Sequence, residues 1–277
     1  MSALLVLRRS PMALAGALIV LFWVVVAALA PVIAPFDPNA TMSPFNLPLS
    51  FPPFFQGTRF WLGTDQLGRD ILSRIVWGAR PVLIYAPLST AAAYVVGVTL
   101  GLVAGYRGGW ADGVLSRIGD VILSFPVLVL YVVVIASVGP SALNIVLAVT
   151  FASAPGIMRI TRALTLDMRE RDYVAAAKLR GESSLYIMAV EILPSIRGPL
   201  VVNACLLLGY VVITIGVLGF LGLGLPPPDP DWGGMISQGR AVALSFPHMT
   251  VFPCVALSSL VLGFNMLADG LKRGAGA

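Results

Sequence analysis

The sequence predicts an all-α integral membrane protein with six transmembrane helices. Three observations carry that prediction. Hydrophobic residues make up 58% of the 277 positions, charged residues only 11%, and the apolar residues gather into six runs. Soluble domains carry roughly 25% charged residues, and a globule this poor in charge could not cover its surface. Composition therefore argues against a soluble enzyme, a nucleic-acid binder or a disordered chain. The net charge of +5 belongs, in such a chain, to membrane orientation rather than to a polynucleotide partner.

Crossing about 30 Å of hydrocarbon takes about 20 apolar residues at 1.5 Å each. The first run, residues 13–34, follows Arg8 and Arg9. Ala28-Leu29-Ala30 has the small-x-small form of a signal cleavage site, yet Pro31 would follow the cut. The run also exceeds a usual signal core, so a retained anchor helix is expected. The remaining spans fall at residues 82–104, 121–138, 143–158, 200–225 and 252–267. The 143–158 run is short, holds Pro155 and is expected to extend to Thr161.

Six spans place both termini on one side, and the basic residues choose which. With the N-terminus inside, 13 of the 18 Lys and Arg fall in cytoplasmic segments. The other five, Arg59, Arg69, Arg74, Arg80 and Arg240, fall outside. The expected topology is N-in, C-in. Cys205 and Cys254 both lie in apolar runs and read as small core residues rather than a disulfide or metal pair.

Between the first two spans the outer segment begins Pro-rich and aromatic: Pro38, Pro44, Pro48, Pro52 and Pro53, with Phe51, Phe54 and Phe55. That composition favours extended chain. It continues as LGTDQLGRDILSRIVWGAR, residues 62–80, where Ile71, Leu72, Ile75 and Val76 recur at helical spacing. Thr64 or Asp65 offers an N-cap, and Arg74 and Arg80 face the C-terminal end. The pattern predicts an amphipathic helix lying on the outer membrane surface. Two regions follow: residues 1–80, with the anchor helix, the outer Pro-rich segment and the interfacial helix, and residues 81–277, a five-helix core with an inner loop near 159–198.

That inner loop is the most charged part of the chain, with nine of the 31 ionised residues between Asp167 and Glu191. It also carries Tyr173, Val174, Ala175, Ala176, Ala177 and Leu179, then Gly181, then Leu185, Ile187, Met188 and Val190. An Ala-rich helix stopped by glycine, with a second short helix after it, fits the pattern. Small Ala side chains let another surface approach closely. A helix folded back on the bundle's own end is the alternative.

The chemistry of a self-sufficient machine is missing. Lys178 is followed by Leu179 and Lys272 by Arg273, so no phosphate-cradling P-loop can be drawn. The spans as drawn hold no Asp, Glu, His or Lys for ion coupling. Asp120 and Asp269 fall at inner ends, and His248 reads as an interfacial residue at an outer one. One histidine cannot build a metalloprotease site. Asn144, Asn203, Thr214 and Asn265 read as interhelical hydrogen-bonding groups, with the lining of a polar pathway as the alternative. The chain reads as a pathway without its own motor.

Five motifs then carry a resemblance. DYVAAAKLRG, residues 172–181, followed by EILPS, residues 191–195, resembles the cytoplasmic loop of ABC-importer permeases. The runs at residues 62–80 and FLGLGLPPPDPDWGGMI, residues 220–236, are similar to signatures of the dipeptide/oligopeptide/nickel branch, C-type subunit. So are GLVAGYRGGWAD, residues 101–112, and FNMLADGLK, residues 264–272. The chain departs from that pattern at Asp172, where Glu is more usual, at Glu191, where His or Asn is common, and at Ser195, where Asn is common.

The resemblance implies a type I ABC importer permease-like bundle with a cytoplasmic coupling helix. It implies a heterodimer with a homologous B-type permease in the bacterial inner membrane, two P-loop ATPase subunits, and an extracytoplasmic solute-binding protein. It implies no cofactor in this chain, with ATP and Mg²⁺ in the ATPases. Coupling would fall to Asp172, Tyr173, Ala175, Ala176, Ala177, Gly181, Leu193 and Pro194. Tyr173 would be a buried aromatic anchor and Gly181 the turn. The outer gate or binding-protein contact would fall to Leu62, Gly63, Thr64, Asp65, Gly68, Arg69, Asp70, Arg74, Pro227, Trp232 and Gly233. The solute would be a dipeptide or oligopeptide, with nickel chelates, glutathione or other small solutes as alternatives. A stand-alone secondary carrier, an intramembrane enzyme and a purely structural subunit are the readings from other classes.

Overall fold

The computed structural model describes residues 10–42 and 60–275. Arg8, Arg9, Arg59 and the proline and phenylalanine cluster at residues 44–55 lie outside the described residues. The described chain is helical throughout, with a single isolated β-bridge between Thr64 and Asp70. In order it forms α1 (Pro11–Ala28), α2 (Ala30–Ile33), α3 (Ile71–Arg107), α4 (Gly109–Leu123), α5 (Val127–Val138) and α6 (Ala142–Arg169). Then follow α7 (Asp172–Leu179), α8 (Ser184–Tyr186), a π-helical turn (Ile187–Ile192), α9 (Leu193–Phe220), α10 (Trp232–Arg240) and α11 (His248–Ala275). Five helices are long and apolar enough to cross a membrane, and a sixth span results if the bent pair α4–α5 is counted as one.

Two expected elements take a different form. The surface helix expected at residues 62–80 is absent as a separate element, because Ile71 to Arg80 is the start of the 37-residue α3. Its apolar residues Ile71, Ile75, Val76 and Ala79 are buried in the protein core rather than laid against lipid. Arg80 needs no solvent there: its Nε donates to Ala27 O at 2.7 Å and its guanidinium stacks on Trp77. At 1.5 Å per residue α3 is about 55 Å long, longer than a bilayer core, so it carries the outer cluster and the spanning segment on one rod. The third span, expected straight at residues 121–138, is broken. α4 and α5 meet at 89°, because Pro126 pushes the preceding residue out of helical conformation and the chain is extended at Pro126 itself.

Glycine sets the closest packing. Gly97, Gly101 and Gly105 form a stripe on α3, and a Cβ on any of them would come within 2.7 Å of Ile157, Thr161 or Thr165 on α6. Such small-residue stripes let membrane helices approach backbone to backbone. α1 seats on α11 in the same way, with Gly16 against Gly263 and Gly270 against Ala13. Between these pairs lies the main core, centred on Trp23, Ile75, Val82, Ile145, Leu218, Trp232 and Leu260. Large apolar side chains such as Leu18, Phe22, Val32, Val95 and Val133 remain exposed around the outside, as lipid- or partner-facing surfaces require.

Of the polar groups read as interhelical ties, Asn203 is one: its Oδ1 accepts from Tyr94 Oη at 2.6 Å, joining α9 to α3. Asn144 instead caps the end of α5, donating to the Val138 and Gly139 carbonyls. Thr214 donates to Tyr210 O within its own helix and also hydrogen-bonds the Tyr131 side chain of α5, an interhelical tie. His248 is buried rather than interfacial, with Nε2 3.3 Å from Thr64 O. Cys205 and Cys254 are free and half-buried.

Candidate functional site

Past its last turn, α6 leads through Glu170 and Arg171 directly into α7. Asp172 stands in the first turn of α7 and Lys178 in its last, each complementing the helix dipole. Gly181 follows with φ of 78°, a left-handed conformation that glycine adopts without strain. There the Gly181 and Glu182 amides donate to the Lys178 and Ala177 carbonyls and close the helix. Ser183 Oγ then accepts from Tyr186 N at 3.2 Å and starts the next turn. The second short helix does not end before the membrane span as expected. α8 passes into the π turn and on into α9 as one rod, and Pro194 stands at the junction where the π turn gives way to α9.

α7 has two faces. Val174 and Ala177 are fully buried with Ile187, Met188, Ile192, Ile196 and Leu200 in a second core cluster, and Leu193 packs half-buried against it. Ala175, Ala176, Gly181 and Pro194 are exposed, and Tyr173 is 38% exposed. Tyr173 is thus no buried anchor within this chain; its hydroxyl reaches Ser195 Oγ at 3.4 Å. Three apolar residues missing from the expected set extend the exposed face: Leu179 at 90%, Leu185 at 72% and Val190 at 50%. Their signal was present, since Leu179 lies three and four residues after Ala176 and Ala175. Arg180 Nη2 meets Glu191 Oε1 at 3.1 Å, pinning the loop to the π turn. Ser195 and Glu191, two departures from the family pattern, therefore both hold this loop.

Where α3 begins, the residues of the 62–80 motif fold on one another. Asp65 Oδ1 accepts from the Leu67 and Arg69 amides, and its Oδ2 from Arg69 Nε at 2.7 Å. Gly63 and Gly68 supply the two positive φ angles of this turn. Asp70 caps α3 through Ser73 N and Oγ, and Arg74 Nη1 donates to Pro38 O at 2.9 Å. Asp231 caps α10 through Gly233 N and Gly234 N. Trp232 is fully buried, donates to Ile75 O at 2.9 Å, and stands edge-on to Trp23. Arg69 Nη2 donates to Gln238 Oε1, joining the 62–80 motif to α10.

Of the residues expected to form an outer gate or a binding-protein contact, most are covered by the chain itself. Gly63, Thr64, Gly68, Arg69, Asp70, Arg74, Trp232 and Gly233 are buried, Leu62 and Asp65 are half-buried, and Pro227 is exposed. A polar cavity of about 260 Å³ opens between the motifs, lined by Arg69, Arg74, Asp229 and Asp231. Burial pushes the Asp231 carboxyl up to about 6, and burial likewise raises that of Asp70.

Residues 97–274 match the family described as binding-protein-dependent transport system inner membrane component. The chain belongs to that family. Residues 2–53 match a second description, the N-terminal transmembrane domain of oligopeptide transport permease C. A dipeptide transport system permease protein of Alkalihalophilus pseudofirmus is 37% identical over 96% of this chain and 86% of its own. A di/tripeptide transport system permease protein of Pseudomonas aeruginosa is 38% identical over 94% and 86%. A glutathione transport system permease protein of Escherichia coli is 38% identical over 96% and 86%. This permease is accordingly a multi-pass, non-catalytic subunit of an ABC importer in the inner membrane.

Proposed function

We propose that this permease forms half of the pathway of a dipeptide or oligopeptide importer, paired with a homologous B-type permease. Two P-loop ATPases, which hold the ATP and Mg²⁺, dock on the loop containing α7, and a solute-binding protein delivers from outside. Both termini face the cytoplasm. The observation that carries the reading is the exposed apolar ridge of Tyr173, Ala175, Ala176 and Leu179 on α7, continued by Leu185 on α8, standing among charged residues while the other face of α7 is fixed in the core. An unpartnered ridge of that kind on a charged loop fits a docking surface. The peptide assignment rests on the relatives named for dipeptide and di/tripeptide transport. Glutathione, for which another relative is named, is itself a small peptide and stays within the class.

ATP binding draws the ATPases together, α7 moves with them, and α6 and α9, joined to the loop at its two ends, tilt with it. The outer motifs hold the rim of the pathway, and binding-protein contact falls to their exposed members and neighbours, Trp61, Leu67 and Pro227. Charge placed on the ridge tests the docking role. Ala176→Glu and Leu179→Glu should each cut uptake about tenfold or more, since an unpaired charge buried at an interface costs several kcal/mol, while membrane level stays unchanged. Normal uptake by Ala176→Glu or by Gly181→Asp contradicts the assignment.

A further inference from the structure

α4 is attached to the rest of the molecule unlike any neighbouring helix. α3 and α6 are locked by the Gly97, Gly101 and Gly105 stripe, and Arg169 at the end of α6 reaches the Gly105 and Tyr106 carbonyls at the end of α3. These two helices form a rigid pair. α4 packs on that pair with one buried residue, Gly119, whose absent side chain leaves room for Met158 Cε. Beneath α4 lies an apolar cavity of about 520 Å³, lined among others by Leu100, Leu115, Ile122 and Phe151. α4 thus lies at the edge of the bundle, packed on α3 and α6 with most of its side chains outside the core.

Both ends of α4 are built to pivot. Gly108 and Gly109 stand consecutively at φ of 66° and 54° between α3 and α4. At the far end, Ser124 to Pro126 turns the chain through 89° into α5. What ties α4 down is charge. Asp112 pairs with Arg162 through both carboxylate oxygens, one of them 2.6 Å from Nη2, and Ser116 Oγ supports Asp112 at 3.0 Å. Two turns further on, Asp120 meets Arg159 Nη2 at 2.6 Å. Both arginines belong to α6, the helix that runs into the α7 loop after two residues.

We propose that Asp112, Asp120, Arg159 and Arg162 are positioning residues that latch α4, a flap hinged at Gly108–Gly109 and at residues 124–126, onto the rigid α3–α6 pair, and that release of the latch is a step of transport. The inference rests on the transport reading above. A displacement applied at α7 reaches α6 first, and the ion pairs are the contacts it must strain before α4 swings and the cavity beneath it opens or closes.

The test uses the complete importer in membranes, with Cys205 and Cys254 replaced by Ala and cysteines introduced as Gly119→Cys and Met158→Cys. Bridging them with a short, reducible thiol cross-linker should lower uptake about tenfold or more, and reduction should restore it. Full uptake after complete cross-linking overturns the proposal. In the same background Asp112→Arg should reduce cross-linking yield severalfold, and adding Arg162→Asp should recover it; equal yields in all three overturn the latch without reference to transport. The reduced, unbridged protein reports separately on the transport reading: uptake that requires ATP supports it whatever the latch does.

Discussion

Asp231 stands where a charge is costly: its carboxyl is buried between Gly219 and Gly224, at either of which a Cβ would overlap it. Its pKa, about 6 in the fold, lies above the unfolded carboxylate range. The neutral form is therefore favoured by folding. The stabilisation is full below the unfolded value and is lost as pH rises through 6. Measured as thermal midpoints of the detergent-purified protein, Asp231→Asn should gain on the parent between pH 4 and about 6.5. At 1.36 kcal/mol per pKa unit the gain is on the order of 3 kcal/mol; a constant difference across that range contradicts the assignment. Some residue-scale features were legible beforehand. Gly181 follows an Ala-rich run, and a glycine there signals a left-handed cap. The burial of His248 and Trp232 was not legible, because it depends on Thr64 and Ile75, partners more than 150 positions away in sequence. Periodicity reports which face is apolar, not which distant loop covers it.

At the scale of the element, the spans were legible as apolar runs and their ends were not. α3 begins about ten residues before its apolar run because core burial of Ile71, Ile75 and Val76 extends the helix outward. The break between α4 and α5 turned on Pro126 inside a run of uniformly apolar residues, where hydropathy alone cannot separate a kink from a continuous span. The glycine stripe on α3 was present as GLVAG in a quoted motif, but its partner helix was not. Gly101→Leu should separate α3 from α6, since a Cβ at 101 would stand 2.6 Å from Thr161 Cβ and overpacking costs roughly 1–3 kcal/mol or more. Lower yield of monodisperse protein by size-exclusion chromatography is the expected result. Gly156→Ala, where a Cβ would meet nothing within 4 Å, should match the parent. Equal yield of both variants would remove the stripe from its role.

Across the whole molecule, a close-packed helical centre joins the buried 62–80 and 220–236 motifs to the half-exposed loop that holds α7. α3 and the turn before it are locked to α10 through Arg69, Gln238 and Trp232. The loop holding α7 presents one anchored and one exposed face, and α4 is ion-paired to α6. In the proposed function, the exposed face of α7 is where an ATPase docks. Affinity purification of the tagged chain in mild detergent from its native host tests that most directly, with the copurifying proteins identified. The account predicts a second six-span permease and two P-loop ATPases with the parent, and loss of the ATPases but not of the second permease with Leu179→Glu. Recovery of the chain alone, stable and monodisperse, would contradict it.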